Sequence, residues 1–450
     1  MNSVNLERLP EYLKRQHWFA GKTLPIKSCT IIDSIELDKK GAPGLVLLIV
    51  QVVYELGQPD RYLLPVRVDA DGNMHDQLEF EELPRLLFQL IREGARVESG
   101  GSGIKGETIG DPGMVSKGVA TAPAIRHLGV KQTNTSLVID DKVIFKVIRK
   151  LELGLNPELE IGRFLATKTS FRATPTLLGA LELEGASATT VGLLHEFIAS
   201  SGDAWKWINE ALLEPLPLPE TILGEIELLG QRVAELHRAL ASDPSDLAFA
   251  PEPLLQEDLQ RWSSSIIGEL GVTLARASTR FPEVADRREA LVERANVLAR
   301  ARPSGMKLRQ HGDLHLGHVL RSLRGWLIID FEGEPTRAFD QRREKHSPLR
   351  DVAGMLRSFA YASAGAKLAD EHRDPVNRAL RERFLSGYLG AMAGSGLLPD
   401  EDTLGILLDA LELEKALYEV RYELQMRPDW VHIPIGSLMA QPQSSSGVKP

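Results

Sequence analysis

Two acidic segments that lie close together in the chain constrain its fold and chemistry more than any other feature. The first segment, Gln310 to His318, reads QHGDLHLGH. The second, Asp330 to Glu334, reads DFEGE and directly follows the apolar run Trp326 to Ile329. A short apolar run that is bounded by polar residues is typical of a buried strand. The pattern therefore predicts a loop and a strand end that bring the carboxylates of Asp313 and Asp330 together.

The order of these two aspartates is that of kinase-type phosphotransferases. In such a site the first aspartate, here Asp313, orients the hydroxyl that accepts the phosphoryl group. The second, here Asp330, holds Mg²⁺ against the phosphates of ATP. Either aspartate alone could equally cap a turn or a helix. The presence of both in one short window favours phosphoryl transfer.

Three histidines accompany the first aspartate, and we expect them to have different tasks. His311 is predicted to hold the loop. His315 either faces a sugar or phosphate or is satisfied within the protein. His318 stands where kinases place an asparagine that binds Mg²⁺, although hard cations prefer oxygen to imidazole. Either His318 contacts the metal through water, or Asp330 and Glu332 supply more of the metal's ligand atoms.

Composition and charge restrict the class of protein. The chain has 450 residues, enough for two or three domains, and a formal net charge of −9. No basic stripe is available to neutralise phosphates, which argues against a nucleic-acid partner. The single cysteine, Cys29, cannot form an internal disulfide. No secretory leader is visible, and no apolar run approaches the ~20 residues of a membrane helix. We therefore expect a cytoplasmic globular enzyme with no membrane partner.

The N-terminal part of the chain is predicted to form a small cap. Residues 1–93 read as an α+β unit with a helix from Leu9 to Phe19, three β-type runs and a closing helix from Glu81 to Glu93. Residues 94 to 119 contain the run Gly100 to Gly103. This run is either a flexible linker or a phosphate-binding loop, and the lack of a preceding strand favours the linker.

The remainder of the chain is predicted to form the two lobes of a kinase. Residues 94–200 give a β–β–α–β order, with a hairpin turn at Asp140-Asp141 and a helix opened by Asn156-Pro157. Residues 201–440 are dominated by helical periodicity, and residues 441–450 read as a disordered tail. The fold class is therefore α+β: bilobed and protein-kinase-like, with an N-terminal α+β cap and a mainly helical C-terminal lobe.

A lysine in the small lobe is the candidate for the phosphates of ATP. Lys146 lies inside an apolar alternation on the second strand of the hairpin. Kinases pair such a lysine with a glutamate on the following helix. Glu160 is the candidate for that glutamate, and Glu158 competes with it. The alternative interpretation is a solvated strand lysine.

Two further places in the small lobe are assigned to the nucleotide. The segment Gln132 to Ser136, with its hydroxyls Thr135 and Ser136, lies where a loop would cover the phosphates. It contains no glycine, so an ordinary polar turn is an equal alternative. Glu196, in the strand that runs from Val191 to Ile198, is the remaining candidate.

Aromatic and charged residues near the end of the chain are candidates for the acceptor. They are Tyr418, Tyr422, Glu423 and Trp430. Aromatic planes beside carboxylates suit a sugar, whereas aromatics packed into the core are the other interpretation. Arg350, which with Asp351 could brace the Asp330 loop, and His315 complete the acceptor candidates.

Taken together, these residues resemble the maltokinases, kinases with the aminoglycoside-phosphotransferase fold. The matching segments are Gln16 to Lys22, Gln132 to Ser136, Gly202 to Trp205, His311 to Gly317, Ile329 to Pro335, Ser347 to Phe359 and Tyr418 to Glu423. The likeness spans nearly the whole chain, including the cap. It implies ATP-dependent phosphorylation of maltose at its anomeric hydroxyl, giving maltose 1-phosphate for the synthesis of α-1,4-glucans such as glycogen.

The resemblance also implies roles for single residues. Asp313 resembles the base, Asp330 a magnesium ligand, Lys146 the phosphate lysine and Ser136 part of the loop over the phosphates. The family usually has glutamine where this chain has His318. Glucosamine kinases share the scaffold and are the alternative, as is a non-catalytic nucleotide-binding scaffold. The partners implied are ATP and a sugar, and an association with glucan or trehalose enzymes is a further expectation.

Overall fold

The computed structural model describes residues 6–37, 45–69, 73–99, 102–116, 119–120, 123–129, 133–185 and 188–440. It divides into two compact units, Met1–Ile198 and Ala199–Pro450, which are described separately below. The predicted tail 441–450, residue Gln132 and the pair Gly100-Gly101 lie outside the described residues. The predicted subdomain bounds at residues 93, 200 and 440 stay predictions.

Among its described residues, the first unit has two antiparallel sheets and four α-helices. Its helices are α1 (Leu9–Arg15), α2 (Glu82–Glu93), α3 (Pro112–Ser116) and α4 (Pro157–Lys168). Its strands are β1 (Ile26–Glu36), β2 (Val46–Tyr54), β3 (Asp60–Val68), β4 (Met74–Asp76), β5 (Arg96–Ser99), β6 (Ser102–Thr108), β7 (Ile125–His127), β8 (Thr135–Ile139), β9 (Val143–Val147), β10 (Lys150–Leu151), β11 (Leu177–Glu184) and β12 (Thr189–Glu196). The first sheet has the order β1-β2-β3-β10 with β4 beside β3, and the second has the order β5-β6-β11-β12-β9-β8-β7.

The linker predicted for residues 94 to 119 is wrong over most of its length. Strands β5 and β6 form there, and β6 pairs with β11 inside the second sheet. A Cβ at Gly106 would lie 2.0 Å from the carbonyl oxygen of Leu90 on α2. The glycine is therefore needed for close approach of strand and helix, and it does not mark a flexible chain.

The predicted hairpin is confirmed. Strands β8 and β9 pair antiparallel, with Ser136 opposite Lys146. Asp140 and Asp141 both have positive φ, 50° and 49°. Positive φ at both central residues is the conformation that matches the twist of a two-residue hairpin.

A buried arginine joins the two sheets of the first unit. Arg149 Nη2 donates to Asp76 Oδ2 at 2.6 Å, and Arg149 Nε donates to Thr135 Oγ1 at 2.8 Å. The guanidinium also lies 4.7 Å from the ring centre of Trp18. Because Asp76 ends β4 and Thr135 starts β8, this single side chain ties the predicted cap to the hairpin that carries Lys146.

The second unit is mainly helical, as predicted. Its helices are α5 (Ala204–Ala211), α6 (Glu220–Leu240), α7 (Gln256–Ala277), α8 (Pro282–Asp286), α9 (Arg288–Arg300), α10 (Leu349–Gly365), α11 (Asp370–Met392), α12 (Glu401–Met426) and α13 (His432–Met439). Its strands are β13 (Ser200–Asp203), β14 (Glu252–Pro253), β15 (Met306–Lys307), β16 (Val319–Ser322) and β17 (Gly325–Ile328). They form the sheets β13-β16-β17 and β14-β15. Throughout the part of the chain that the structure describes, every helix is too short or too polar to span a bilayer.

Helix α12 is held in the second unit by ion pairs to several neighbouring helices. These pairs are Asp409 with Arg294 at 2.6 Å, Glu412 with Arg381 at 2.8 Å and Glu419 with Arg357 at 2.6 Å. Arg421 pairs with Glu269 on α7. With these contacts, α12 presents Lys415 and Tyr418 to the loop that carries Asp313.

Candidate active site

The loop that carries Asp313 is fixed by a buried carboxylate on α10. Asp351 Oδ2 accepts the N–H of His311 at 2.8 Å, and Oδ1 accepts the N–H of Gly312 at 2.9 Å. His237 Nε2 donates to the same carboxylate at 3.1 Å. Burial alone would raise the pKa of Asp351, but these hydrogen bonds lower it overall. From the sequence we expected Asp351 to brace the Asp330 loop. Its carboxylate instead holds the loop that carries Asp313.

His311 connects the two acidic segments. Its Nε2 donates to the carbonyl oxygen of Ile329 at 2.8 Å, and its Nδ1 accepts the N–H of Asp313 at 3.3 Å. Burial is the main cause of its lowered pKa. The neutral ring therefore holds Asp313 and the residue before Asp330 in one arrangement, which confirms the predicted structural role of His311.

Asp330 follows β17 in the left-handed backbone region. Its φ is 69°, which few residues other than glycine, asparagine and aspartate adopt. Asp330 Oδ2 lies 3.2 Å from His318 Nε2, while His318 Nδ1 lies 2.9 Å from the carbonyl oxygen of Asp313. The sequence prediction that the two acidic segments meet is thus confirmed. Glu332 is half-buried two residues further on, and its role as a metal ligand stays a prediction.

The carboxylate of Asp313 forms an ion pair with a lysine that sequence reasoning missed. Lys415 Nζ on α12 lies 3.0 Å from Asp313 Oδ1 and 3.8 Å from Glu334 Oε2. Burial alone would raise the pKa of Asp313, but Lys415 and the nearby histidines lower it to about 2. Asp313 is therefore ionised over the physiological range. Lys415 precedes Tyr418 by three residues, so their shared helix face was the signal that could have revealed it.

A cavity of about 340 Å³ opens beside Asp313 in the second unit. Its lining residues are Ser265, Glu269, Gly312, Asp313, Leu314, Glu334, Thr336, Arg337, Gln341, Arg350, Asp351, Gly354, Leu411, Glu414, Lys415, Tyr418 and Arg421. The predicted acceptor residues Arg350 and Tyr418 are among them. Tyr422 is exposed, and its ring centre lies 6.1 Å from that of Tyr418.

The carboxylates of this cavity have cationic or hydrogen-bonding partners. Glu414 pairs with Arg337 at 2.9 Å and with Arg350 at 3.4 Å. Glu334 accepts a hydrogen bond from Thr336 Oγ1 at 2.6 Å. Glu269, Asp313 and Asp351 have the partners described above. The cavity therefore offers a hydroxyl-rich ligand alternating donors and acceptors.

Two other predicted acceptor residues, Glu423 and Trp430, have contacts outside the cavity lining, whereas His315 lies beside Asp313. Glu423 is buried and receives hydrogen bonds from Arg427 and from the hydroxyl of Tyr361. Trp430 stacks on Tyr361 with ring centres 6.2 Å apart. These contacts favour the packing interpretation for Glu423 and Trp430. His315 Nδ1 accepts the N–H of Gly317 at 3.0 Å, and burial lowers the pKa of His315 to about 3.

The nucleotide candidates lie in the first unit. Lys146 Nζ is 2.7 Å from Glu158 Oε2, and this pair is largely buried. From the sequence we preferred Glu160 as the partner of Lys146. The short distance between Lys146 Nζ and Glu158 Oε2 instead favours Glu158. Asn156 caps α4 by accepting the N–H of Glu158 at 2.8 Å, which fixes that residue in the first turn.

The other nucleotide candidates are placed on strands of the same sheet. Thr135 is buried, and its hydroxyl accepts a hydrogen bond from Arg149. Ser136 lies opposite Lys146 in the hairpin. Glu196, at the end of β12, accepts a hydrogen bond from Thr176 Oγ1 at 3.4 Å. Their contacts to a nucleotide stay predictions.

Comparisons with known proteins agree with this architecture. The chain matches the model of the maltokinase N-terminal cap domain over residues 12–78 and that of the phosphotransferase enzyme family over residues 134–393. A glucosamine kinase of Mycolicibacterium smegmatis is 25% identical over 418 residues, or 90% of this chain and 98% of that protein. A glucosamine kinase of Streptacidiphilus jiangxiensis is 25% identical over 414 residues, or 83% of this chain and 91% of that protein.

Solved structures share the fold. A glucosamine kinase in complex with glucosamine, ADP and inorganic phosphate has a TM-score of 0.70 at 19% identity, covering 98% of this chain and 99% of that chain. Crystal form B of a glucosamine kinase has a TM-score of 0.71 at 21% identity, covering 93% and 95%. This likeness confirms the predicted α+β kinase-like fold with its N-terminal cap and helical C-terminal region.

Proposed function

Because this chain belongs to the phosphotransferase enzyme family, we propose that it transfers the γ-phosphoryl group of ATP to a hydroxyl of a sugar. One observation carries the proposal: the ionised carboxylate of Asp313 lines a polar cavity of about 340 Å³. A sugar hydroxyl in that cavity could donate a hydrogen bond to Asp313, which would orient the oxygen for attack and receive its proton.

Each unit supplies its own share of the proposed reaction. In the first unit, Lys146 would neutralise phosphate charge while Glu158 holds its ammonium group 2.7 Å away. In the second unit, Asp313 would be the base and Asp330 would hold a divalent cation. Such a cation would neutralise charge on the phosphates. The side chains at this place fit a dication, since a carboxylate oxygen of Asp330 and a nitrogen of His318 lie 3.2 Å apart.

For the acceptor we propose maltose as the first choice. The match to the maltokinase cap supports it. The cavity supports it too, because its carboxylates already have cationic partners, which leaves less uncompensated negative charge for an ammonium group. Tyr418 beside the cavity and the exposed Tyr422 next to it suit the apolar faces of two linked sugar rings. Maltose 1-phosphate would then enter α-glucan synthesis.

Glucosamine is the alternative acceptor. It is favoured by the names of the two relatives that are 25% identical to this chain. An amino sugar would bring its own cation, so it would compete with Lys415 for Asp313 or Glu334. A cytoplasmic location and an association with glucan or trehalose enzymes stay predictions.

A coupled assay of ATP turnover tests the proposal. The full chain is supplied with ATP, a divalent cation and one acceptor at a time: maltose, glucose, glucosamine or an aminoglycoside. We expect turnover with maltose, and the product is identified as the 1-phosphate by ³¹P NMR. Turnover with glucosamine and none with maltose would show that glucosamine, and not maltose, is the acceptor. Absence of turnover with every sugar would favour a non-catalytic nucleotide-binding scaffold.

A further inference from the structure

Hydrogen bonds determine which nitrogen carries the proton in each of the two histidines beside Asp313. His315 Nδ1 accepts the N–H of Gly317 at 3.0 Å, so in the neutral ring the proton is on Nε2. His318 Nδ1 lies 2.9 Å from the carbonyl oxygen of Asp313, which can only accept. The proton of neutral His318 is therefore on Nδ1, and its Nε2 has a free lone pair. The two histidines are opposite tautomers.

The free lone pair of His318 faces a carboxylate. His318 Nε2 and Asp330 Oδ2 lie 3.2 Å apart. Two acceptor atoms repel each other at that distance unless a positive charge lies between them. That charge is either a second proton on the imidazole or a metal ion that both atoms coordinate.

The separation suits two ligands of one metal ion. Ligand atoms about 2.1 Å from a dication lie about 3.0 Å apart at right angles and about 3.4 Å apart at the tetrahedral angle. The measured 3.2 Å falls between these values. The carbonyl oxygen of Asp313 fixes the orientation of the His318 ring, so Nε2 already faces Asp330 before a metal binds.

The chemistry of the donors selects the metal. Mg²⁺ prefers oxygen ligands and near-ideal octahedral geometry. An imidazole nitrogen beside a carboxylate oxygen binds first-row transition dications more strongly. We propose that His318 and Asp330 form a cation site that prefers Mn²⁺ and related transition-metal dications to Mg²⁺. This proposal rests on the proposed function only in that the bound dication would serve phosphoryl transfer.

Electron paramagnetic resonance of Mn²⁺ tests the site without turnover. Mn²⁺ is titrated into the full chain, alone and with ADP, and Mg²⁺ is then added as competitor. We expect at least tenfold tighter binding of Mn²⁺ than of Mg²⁺. Electron spin-echo modulation from ¹⁴N should show one coordinated imidazole. Neither readout requires a sugar or ATP hydrolysis, so a failed acceptor assay leaves the result intact.

Two variants identify the histidine whose nitrogen coordinates Mn²⁺. His318→Gln should lose the ¹⁴N modulation and at least tenfold of the preference for Mn²⁺, because an amide oxygen replaces the imidazole. His315→Gln should keep the modulation, since the lone pair of His315 is already used by Gly317. Absence of ¹⁴N modulation in the unmodified chain, or equal affinity for the two metals, would overturn the proposal whatever the variants do. Such a result would mean that a proton holds His318 and Asp330 together.

Discussion

Lys415 Nζ lies 3.0 Å from Asp313 Oδ1, so the proposed catalytic base has a cationic partner from a different part of the chain. Both groups are partly shielded, with about a fifth of each side chain exposed, 21% for Lys415 and 17% for Asp313. The lysine lowers the pKa of the carboxylate, which burial alone would raise, and also limits its orientation. An acceptor hydroxyl must therefore approach the oxygen of Asp313 alongside an ammonium group.

We expect Lys415→Met to lower kcat/KM for the sugar by about 10- to 100-fold, because small losses of orientation at a reacting group are costly. Steady-state kinetics with the sugar varied at saturating ATP measure the effect. Lys206→Met is the matched control, since Lys206 lies on the surface of α5 with 59% of its side chain exposed. A twofold change or less in Lys415→Met would show that the pair has no part in acceptor reactivity.

Sequence reasoning predicted those parts of the fold that local sequence patterns specify. The hairpin of β8 and β9 was found because Asp140-Asp141 is a turn pair between two apolar runs. The helical second unit was found because apolar residues repeat at helical spacing. Strands β5 and β6 were missed because their glycines read as a linker, and only the contact with Leu90 shows why glycine is required.

The candidate site was predicted in part for the same reason. Asp313, Asp330 and His318 lie within 18 positions of one another in the sequence, so a motif could place them together. Lys415 is far along the chain, and only the helix face that it shares with Tyr418 could have suggested it. Glu158 and Glu160 lie two positions apart, and only the geometry of the helix start favours Glu158.

Gly354→Ala should damage the loop of Asp313 without changing a polar side chain. A Cβ on Gly354 of α10 would lie 2.4 Å from the carbonyl oxygen of Leu314, the residue after Asp313. We expect a loss of about 1–3 kcal/mol from overpacking, and a lower kcat. Calorimetry and steady-state kinetics measure both effects.

Gly390→Ala on α11 is the control for that substitution. Its Cβ would meet nothing within 4 Å, so alanine should leave kcat unchanged and raise the melting temperature, by up to ~1 kcal/mol of stability. Equal behaviour of the two variants would contradict the close contact between α10 and the loop.

Stability should depend on pH through Asp351. Its folded-state pKa is lowered, so the carboxylate stabilises the protein above its unfolded value of about 3.9 and loses this contribution as the pH falls through the folded value. We expect Asp351→Asn to lower the melting temperature most at neutral pH. The difference in melting temperature between this variant and the unmodified chain should shrink as the pH falls. The exposed Asp374→Asn serves as control, and a constant difference for Asp351→Asn would refute the assignment.

Arg149→Met should destabilise the first unit strongly. The substitution leaves Asp76 buried without its cationic partner, which typically costs about 3–5 kcal/mol. Arg67→Met removes an exposed pair with Glu82 and should cost at most ~1 kcal/mol. Thermal unfolding of the full chain compares the two. Similar melting temperatures for both variants would mean that Arg149 does not hold the two sheets together.

Asp313→Asn tests the central claim, that the carboxylate of Asp313 acts as the base in phosphoryl transfer to a sugar. The measurement is kcat with the best acceptor, together with calorimetric affinity for a non-hydrolysable ATP analogue. We expect kcat to fall by about 10²- to 10⁴-fold while the affinity for the analogue stays within twofold. A variant that keeps near-original kcat would contradict the account.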